Sequence, residues 1–230
     1  MVSFESSREL KDGGEPVIGV LALQGSFPLH LASLRKCGVR GRRVRKPGDL
    51  AGLRGLIIPG GESTTMEKLA RRCGLFEALR EAAGAGLPIF GTCAGAILMG
   101  RGAERPDRLE LVDVEVRRNA YGRQVDSFSA DLFLTPFDRP FHGVFIRAPI
   151  IEDPGTRLEG EVLGKHGGNP VLLRSGRMLL ATFHPELTDD LRVHRFFLQI
   201  CGIEGDAGPA GGIEETSTEN RNTLLKENTF

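Results

Sequence analysis

The 230-residue sequence contains no tryptophan, one tyrosine and four cysteines. Cys37, Cys73, Cys93 and Cys201 form no CxxC pair and have no histidine at metal-ligand spacing, which argues against a zinc site or a disulfide framework. No run approaches the roughly 18 apolar residues that a membrane helix needs. Met1 to Glu15 is polar and lacks the apolar stretch of a secretory signal. Charge of one sign is missing too: 30 Lys and Arg balance 30 Asp and Glu, whereas nucleic-acid binders carry a basic excess or face. Arg40, Arg42, Arg43 and Arg45 cluster, but so short a run reads as solvated surface. These absences leave a cytoplasmic protein with reduced thiols and neither membrane nor nucleic-acid partner. Cys37, Cys73 and Cys201 read as small core hydrophobes.

Composition sets the boundaries. Residues 1–15 read as a flexible leader and 205–230 as a disordered tail rich in Gly, Glu, Thr and Asn, because neither buries enough to offset its ordering entropy. Residues 16–204 are long enough for one domain with a sizeable core. Within it Val17–Leu23, Gly55–Ile58 and Pro88–Gly91 are short apolar runs that predict buried parallel strands. Phe27–Lys36 and Leu191–Ile200 predict helices. Thr64 and Glu67 have capping-box spacing, opening a helix with Met66, Leu69, Ala70 and Cys73 on one face. Leu75, Phe76, Leu79 and Ala83 form a further stripe. Residues 109–183 read mostly as strands. The alternation predicts an α/β fold with a mainly parallel sheet and helices on both faces, a flavodoxin-like three-layer arrangement.

Three segments carry chemistry. Gly91-Thr92-Cys93-Ala94-Gly95 lies between a predicted strand and an apolar, helix-like stretch, the pattern of a nucleophile elbow. Small neighbours are required there, and a helix N-terminus favours the thiolate. Ala94 N–H would face the same space as an oxyanion donor. A buried thiol in a glycine-rich turn fits the pentapeptide equally well. Phe183-His184-Pro185-Glu186 changes the balance. Proline biases His184 towards extended backbone, which sends His184 and Glu186 to the same side, as a general base and its orienting carboxylate require. Pro59-Gly60-Gly61-Glu62-Ser63 follows another strand, and its tandem glycines let a backbone N–H of Gly61 serve an oxyanion from a second loop.

The set PGGES (59–63), GTCAG (91–95) and FHPE (183–186) resembles the class I (triad) glutamine amidotransferase family. LALQG (21–25), RNAYGRQVDSF (118–128) and GVFIRAP (143–149) are similar to its branch of pyridoxal 5'-phosphate synthase glutaminase subunits. The resemblance spans roughly residues 17–201. It implies Cys93 as nucleophile, His184 as base and Glu186 as its carboxylate. It further implies glutamine contacts from Gly61, Glu62, Ser63, Arg118, Ile146 and Arg147. No metal or organic cofactor is implied. The implied partner is a synthase subunit in a hetero-oligomer, which takes the ammonia. The flexible Gly60–Gly61 peptide can turn either its C=O or its N–H to the oxyanion, so the isolated chain is expected to be a poor glutaminase that the partner switches on. At 26–29 the chain departs from the resembled pattern, with Ser-Phe-Pro-Leu where a charged segment is common. An amidotransferase subunit of another pathway is the nearest rival, and RNAYGRQVDSF argues against it. A non-catalytic relative is disfavoured by the intact Cys, His and Glu. An esterase of the α/β-hydrolase type gives no reason for PGGES.

Overall fold

The computed structural model describes residues 15–102, 108–118, 127–152 and 160–203. The expected leader, apart from Glu15, and the expected tail lie outside the described residues, as does 119–126 of RNAYGRQVDSF. In chain order the strands are β1 (Val17–Leu21), β2 (Arg40–Val44), β3 (Gly55–Ile58), β4 (Ile89–Thr92), β5 (Val116–Arg117), β6 (Ser127–Leu132), β7 (Phe141–Ile146), β8 (Ile150–Ile151), β9 (Glu161–His166), β10 (Asn169–Ser175) and β11 (Met178–Ala181). The helices are α1 (Phe27–Lys36), α2 (Ser63–Arg72), α3 (Leu75–Gly84), α4 (Ala94–Met99) and α5 (Arg192–Ile200).

Seven strands form the central sheet in the order β2-β1-β3-β4-β11-β10-β9. β2, β1, β3, β4 and β11 are parallel; β10 and β9 continue the sheet antiparallel. β5 with β8, and β6 with β7, make small antiparallel pairs. The expected mainly parallel α/β sheet is therefore present.

Alternation along the strands divides the core in two. Leu56, Ile58, Ile89 and Leu180 face α2, α3 and α4, packing with Met66, Phe76, Leu79 and Ile97. Ile57, Phe90, Leu179 and Ala181 face the other way onto Leu34 of α1 and Val193, Phe197 and Leu198 of α5. A strand buried on both faces has to be apolar at nearly every position, which is why β1 and β3 read so plainly. Helices thus cover both faces.

One local expectation is corrected, that for the cap of α2, and two others gain detail. Arg40, Arg42 and Arg43 lie on β2, the sheet's outermost strand on that side, where only Val44 is buried. Charge on an edge strand opposes pairing with another chain and hides the strand's apolar signal. Helix α2 is capped by Glu62, whose carboxylate accepts from Thr64 N at 3.1 Å and Thr65 N at 2.7 Å, and not by Thr64. In α3 it is Ala82 that is buried, with Ala83 half-buried beside it.

Candidate active site

The strand order puts the loops after β1, β3, β4 and β11 side by side at the carboxyl ends of the parallel strands, where open α/β sheets bind ligands. Cys93 follows β4 with φ 46° and ψ −103°. A non-glycine residue there stores about 1–3 kcal/mol of strain. The strain is held by Cys93 N donating to Ala181 O at 2.9 Å and Ile97 N to Cys93 O at 3.1 Å. The flanking glycines have no alternative. A Cβ on Gly95 would collide with the Ile58 carbonyl, and one on Gly91 would sit 2.5 Å from Met99 Sδ. α4 begins at Ala94, so the free N–H groups of its first turn adjoin the thiol. As a thiol, Cys93 Sγ lies 3.7 Å from Ile146 O, within reach as a donor.

His184 and Glu186 follow β11. His184 N donates to Val144 O at 2.8 Å, and a Cβ on Gly60 would strike the imidazole, so the ring lies against the PGGES loop. His184 Nδ1 meets Glu186 Oε1 at 2.8 Å, and Ser26 Oγ donates to the same oxygen at 2.6 Å. His184, at φ −106° and ψ 89°, falls outside the extended region expected of it, and Pro185–Leu187 is a 3-10 turn. The pair converges through that turn, not through strand alternation. Both side chains are nearly fully buried. Burial, the largest influence on His184, lowers its pKa. Hydrogen bonds to Cys93 and Glu186, with their negative charge, outweigh it and raise the pKa to about 10. Burial likewise works against ionised Glu186, but His30, His184 and Ser26 hold its pKa down at about 2. At neutral pH the pair is an imidazolium and a carboxylate. Cys93 and Glu186 are thus joined through one ring.

The residues expected to contact substrate are tied together differently. Gly60 O accepts from Ser26 N at 3.0 Å. The Gly61 N–H, trans to that carbonyl across the peptide, therefore points away from Ser26. Gln24 Oε1 accepts from Glu62 N at 2.8 Å, fixing the loop after β3 to the one after β1. Arg118 reaches Thr64 Oγ1 at 2.8 Å and Glu62 Oε1 at 2.9 Å. Hydrogen bonds, first from the Thr65 hydroxyl, lower Glu62 to about 2 despite its partial burial. Ser63 is buried; Gly61, Glu62 and Arg147 are exposed, and Ile146 is just exposed. Arg147 has φ 43°, a strained conformation next to the carbonyl that faces Cys93. Gly61, Glu62, Ser63 and Arg118 form one cluster; Ile146 and Arg147 adjoin the thiol from β7. Sequence reasoning missed Gln24, Ser26 and His30 as supports of these groups, although Gln24 lies in a motif that it singled out. Among the described residues no cluster of three or more His, Cys, Asp or Glu is placed to hold a metal ion, and no helix is long and apolar enough to cross a membrane.

The profile of the SNO glutamine amidotransferase family matches residues 20–202. The pyridoxal 5'-phosphate synthase subunit PdxT of a Thermus thermophilus strain is 51% identical over 191 residues, covering 81% of this chain and 98% of that protein. The subunit of the same name from Pelotomaculum thermopropionicum is 52% identical over 188 residues, covering 80% and 94%. A crystal structure of a glutamine amidotransferase, 47% identical, superposes with a TM-score of 0.76 over 81% of this chain and 99% of its own.

Proposed function

The chain belongs to the SNO glutamine amidotransferase family, and from that premise we propose that it is the glutaminase subunit of a pyridoxal 5'-phosphate synthase, with Cys93, His184 and Glu186 as its triad. The observation that carries the triad is the strained Cys93 elbow facing a buried His184–Glu186 pair. The Cys93 thiolate attacks the side-chain amide carbon of L-glutamine. The oxyanion is held by Ala94 N–H and Gly61 N–H. The carbonyl re-forms as the C–N bond breaks, His184 gives its proton to the leaving ammonia, and a γ-glutamyl thioester remains. His184, now neutral, takes a proton from water, whose oxygen attacks the thioester; glutamate leaves and the thiolate returns. Glu186 keeps one tautomer of His184 throughout and stabilises its imidazolium. Residues 16–204 form the working unit, in the cytoplasm, and no organic cofactor or metal takes part.

Glutamine lies between the Glu62–Arg118 cluster and the Ile146–Arg147 loop. The Glu62 carboxylate suits an α-ammonium group. Arg147 suits the α-carboxylate, as does Arg118 if the substrate displaces it from Glu62. The ammonia passes to the synthase subunit.

Partner docking acts on the Gly60–Gly61 peptide. Turned so that Gly61 N–H leaves the oxyanion, that peptide would remove one donor, at a cost of roughly 3–4 kcal/mol or two to three orders of magnitude in rate. The test is release of ammonia and glutamate from glutamine by the full chain, alone and with saturating synthase subunit. Matched release that rises at least tenfold with the partner is expected. No release in either condition rejects the glutaminase, and equal release in both rejects the gate.

A further inference from the structure

Behind the triad lies a second pair of histidines that the mechanism above does not use. His30 of α1 and His194 of α5 are both fully buried. His30 Nδ1 is 3.0 Å from His194 Nε2, and His30 Nε2 is 3.2 Å from Thr92 Oγ1 and 3.3 Å from Glu186 Oε2. Glu186 Oε1 is taken by His184 and Ser26, while Oε2 is buried without a hydrogen-bond partner and has His30 Nε2, at 3.3 Å, as its near polar neighbour. The edge of the His30 ring also packs on Phe90 at a centroid distance of 6.4 Å. β4, α5 and the loop after β11 therefore all bear on one imidazole.

We propose that His30 is a positioning residue for the triad: its Nε2–H holds the second oxygen of Glu186, and His194 and Thr92 hold His30. This rests on the glutaminase reading and deepens it. Elimination assigns the protons. With the proton on Nδ1, the bare Nε2 of His30 would face a carboxylate oxygen, lone pair against lone pair. His194 would then accept through Nε2 and bury an N–H at Nδ1, an atom with no hydrogen-bond partner; buried orphan N–H groups are rarer than under-used acceptors. With the proton on His30 Nε2, His194 Nε2–H donates to His30 Nδ1, and the lone atom left over is a bare nitrogen. Burial, the largest influence, lowers both histidines; the Glu186 carboxylate opposes it at each, and the imidazolium of His184 adds to it at His30. Both are therefore neutral, and the favoured tautomers put one N–H on Nε2, 3.2 Å from Thr92 Oγ1 and 3.3 Å from Glu186 Oε2. A donor beside the second oxygen fixes the plane of the Glu186 carboxylate, so that an oxygen stays directed at His184 Nδ1.

The groups that face His30 are Glu186 and His184 from the loop after β11, His194 from α5 and Thr92 from β4; Lys36, on its own helix, is exposed and paired with Asp189. The test uses the full chain with saturating synthase subunit and glutamine. His30→Leu removes the donor. It is expected to lower kcat about 10- to 100-fold, the worth of one hydrogen bond to a charged group. KM should stay within about twofold, and the acid limb of the pH–rate profile should move up. His30→Gln, which can place an N–H near the position of Nε2, should recover most of the loss and return the limb. The second measurement needs no variant: nitrogen NMR of the histidine-labelled full chain should show His30 neutral with its proton on Nε2. A folded His30→Leu protein with wild-type kcat and pH profile overturns the proposal. So does a His30→Gln protein as impaired as His30→Leu, or a His30 proton on Nδ1. Failure of the wild type to release ammonia is a different result, and it strikes the glutaminase reading, leaving the NMR measurement to decide the role of His30.

Discussion

Acid should destabilise this fold earlier than its carboxylates would. His194 is fully buried, and burial with the nearby His30 depresses its pKa from 6.5 to about 3. A depressed folded-state pKa means that the unfolded chain takes the proton first. The stability is therefore whole above 6.5 and falls as pH drops from there towards 3. From about pH 7 to about pH 5 the unfolded histidine goes from mostly neutral to almost fully charged while the folded one stays neutral. Linkage converts this difference to about 2 kcal/mol from His194 alone. Glu186 contributes little to that interval, since its loss comes mainly as pH falls from 4.5 towards about 2. His184, raised to about 10, works in the opposite direction in both proteins and cancels in the comparison. The assay is urea unfolding of wild type and His194→Gln at both ends of the interval. Gln keeps an N–H towards His30 and does not titrate. The wild type should lose about 2 kcal/mol more than the variant between the two pH values. Equal losses would refute the buried, neutral assignment of His194.

Three further outcomes follow from the site. Glu186→Gln places an amide where Ser26, His184 and His30 all require an acceptor, so kcat should fall by roughly two to four orders of magnitude; His184→Asn, which removes the base, should cost at least as much. Steady-state ammonia release with the synthase subunit measures both, and wild-type turnover in Glu186→Gln would demote the carboxylate. Gly95→Ala should cost more than about 3 kcal/mol or prevent folding, because its Cβ meets the Ile58 carbonyl. Thermal unfolding measures this, and an unchanged Tm would show that the elbow is not close-packed.

What could be read from the chain follows its physics. β3 and α1 fall on the residues expected, Gly55–Ile58 and Phe27–Lys36, because a strand buried on both faces and an amphipathic helix each carry a local pattern. The elbow was legible because only small residues fit around Cys93. β2 was not, since its exposed arginines cover the single buried Val44. The Glu62 cap was masked by a better-known spacing just after it. His194, which no sequence motif picks out, is fully buried. Its contact with His30 joins positions 164 residues apart, which no local pattern reveals.

The central claim is that Cys93, among four cysteines, carries the glutamyl group. It is tested most directly by acid-quenching the full chain with its synthase subunit during glutamine turnover and mapping thioester adducts by peptide mass spectrometry. A γ-glutamyl adduct is expected on the peptide bearing Cys93, absent from Cys93→Ala and from the peptides bearing Cys37, Cys73 and Cys201. An adduct on another cysteine, or undiminished turnover in Cys93→Ala, would contradict it.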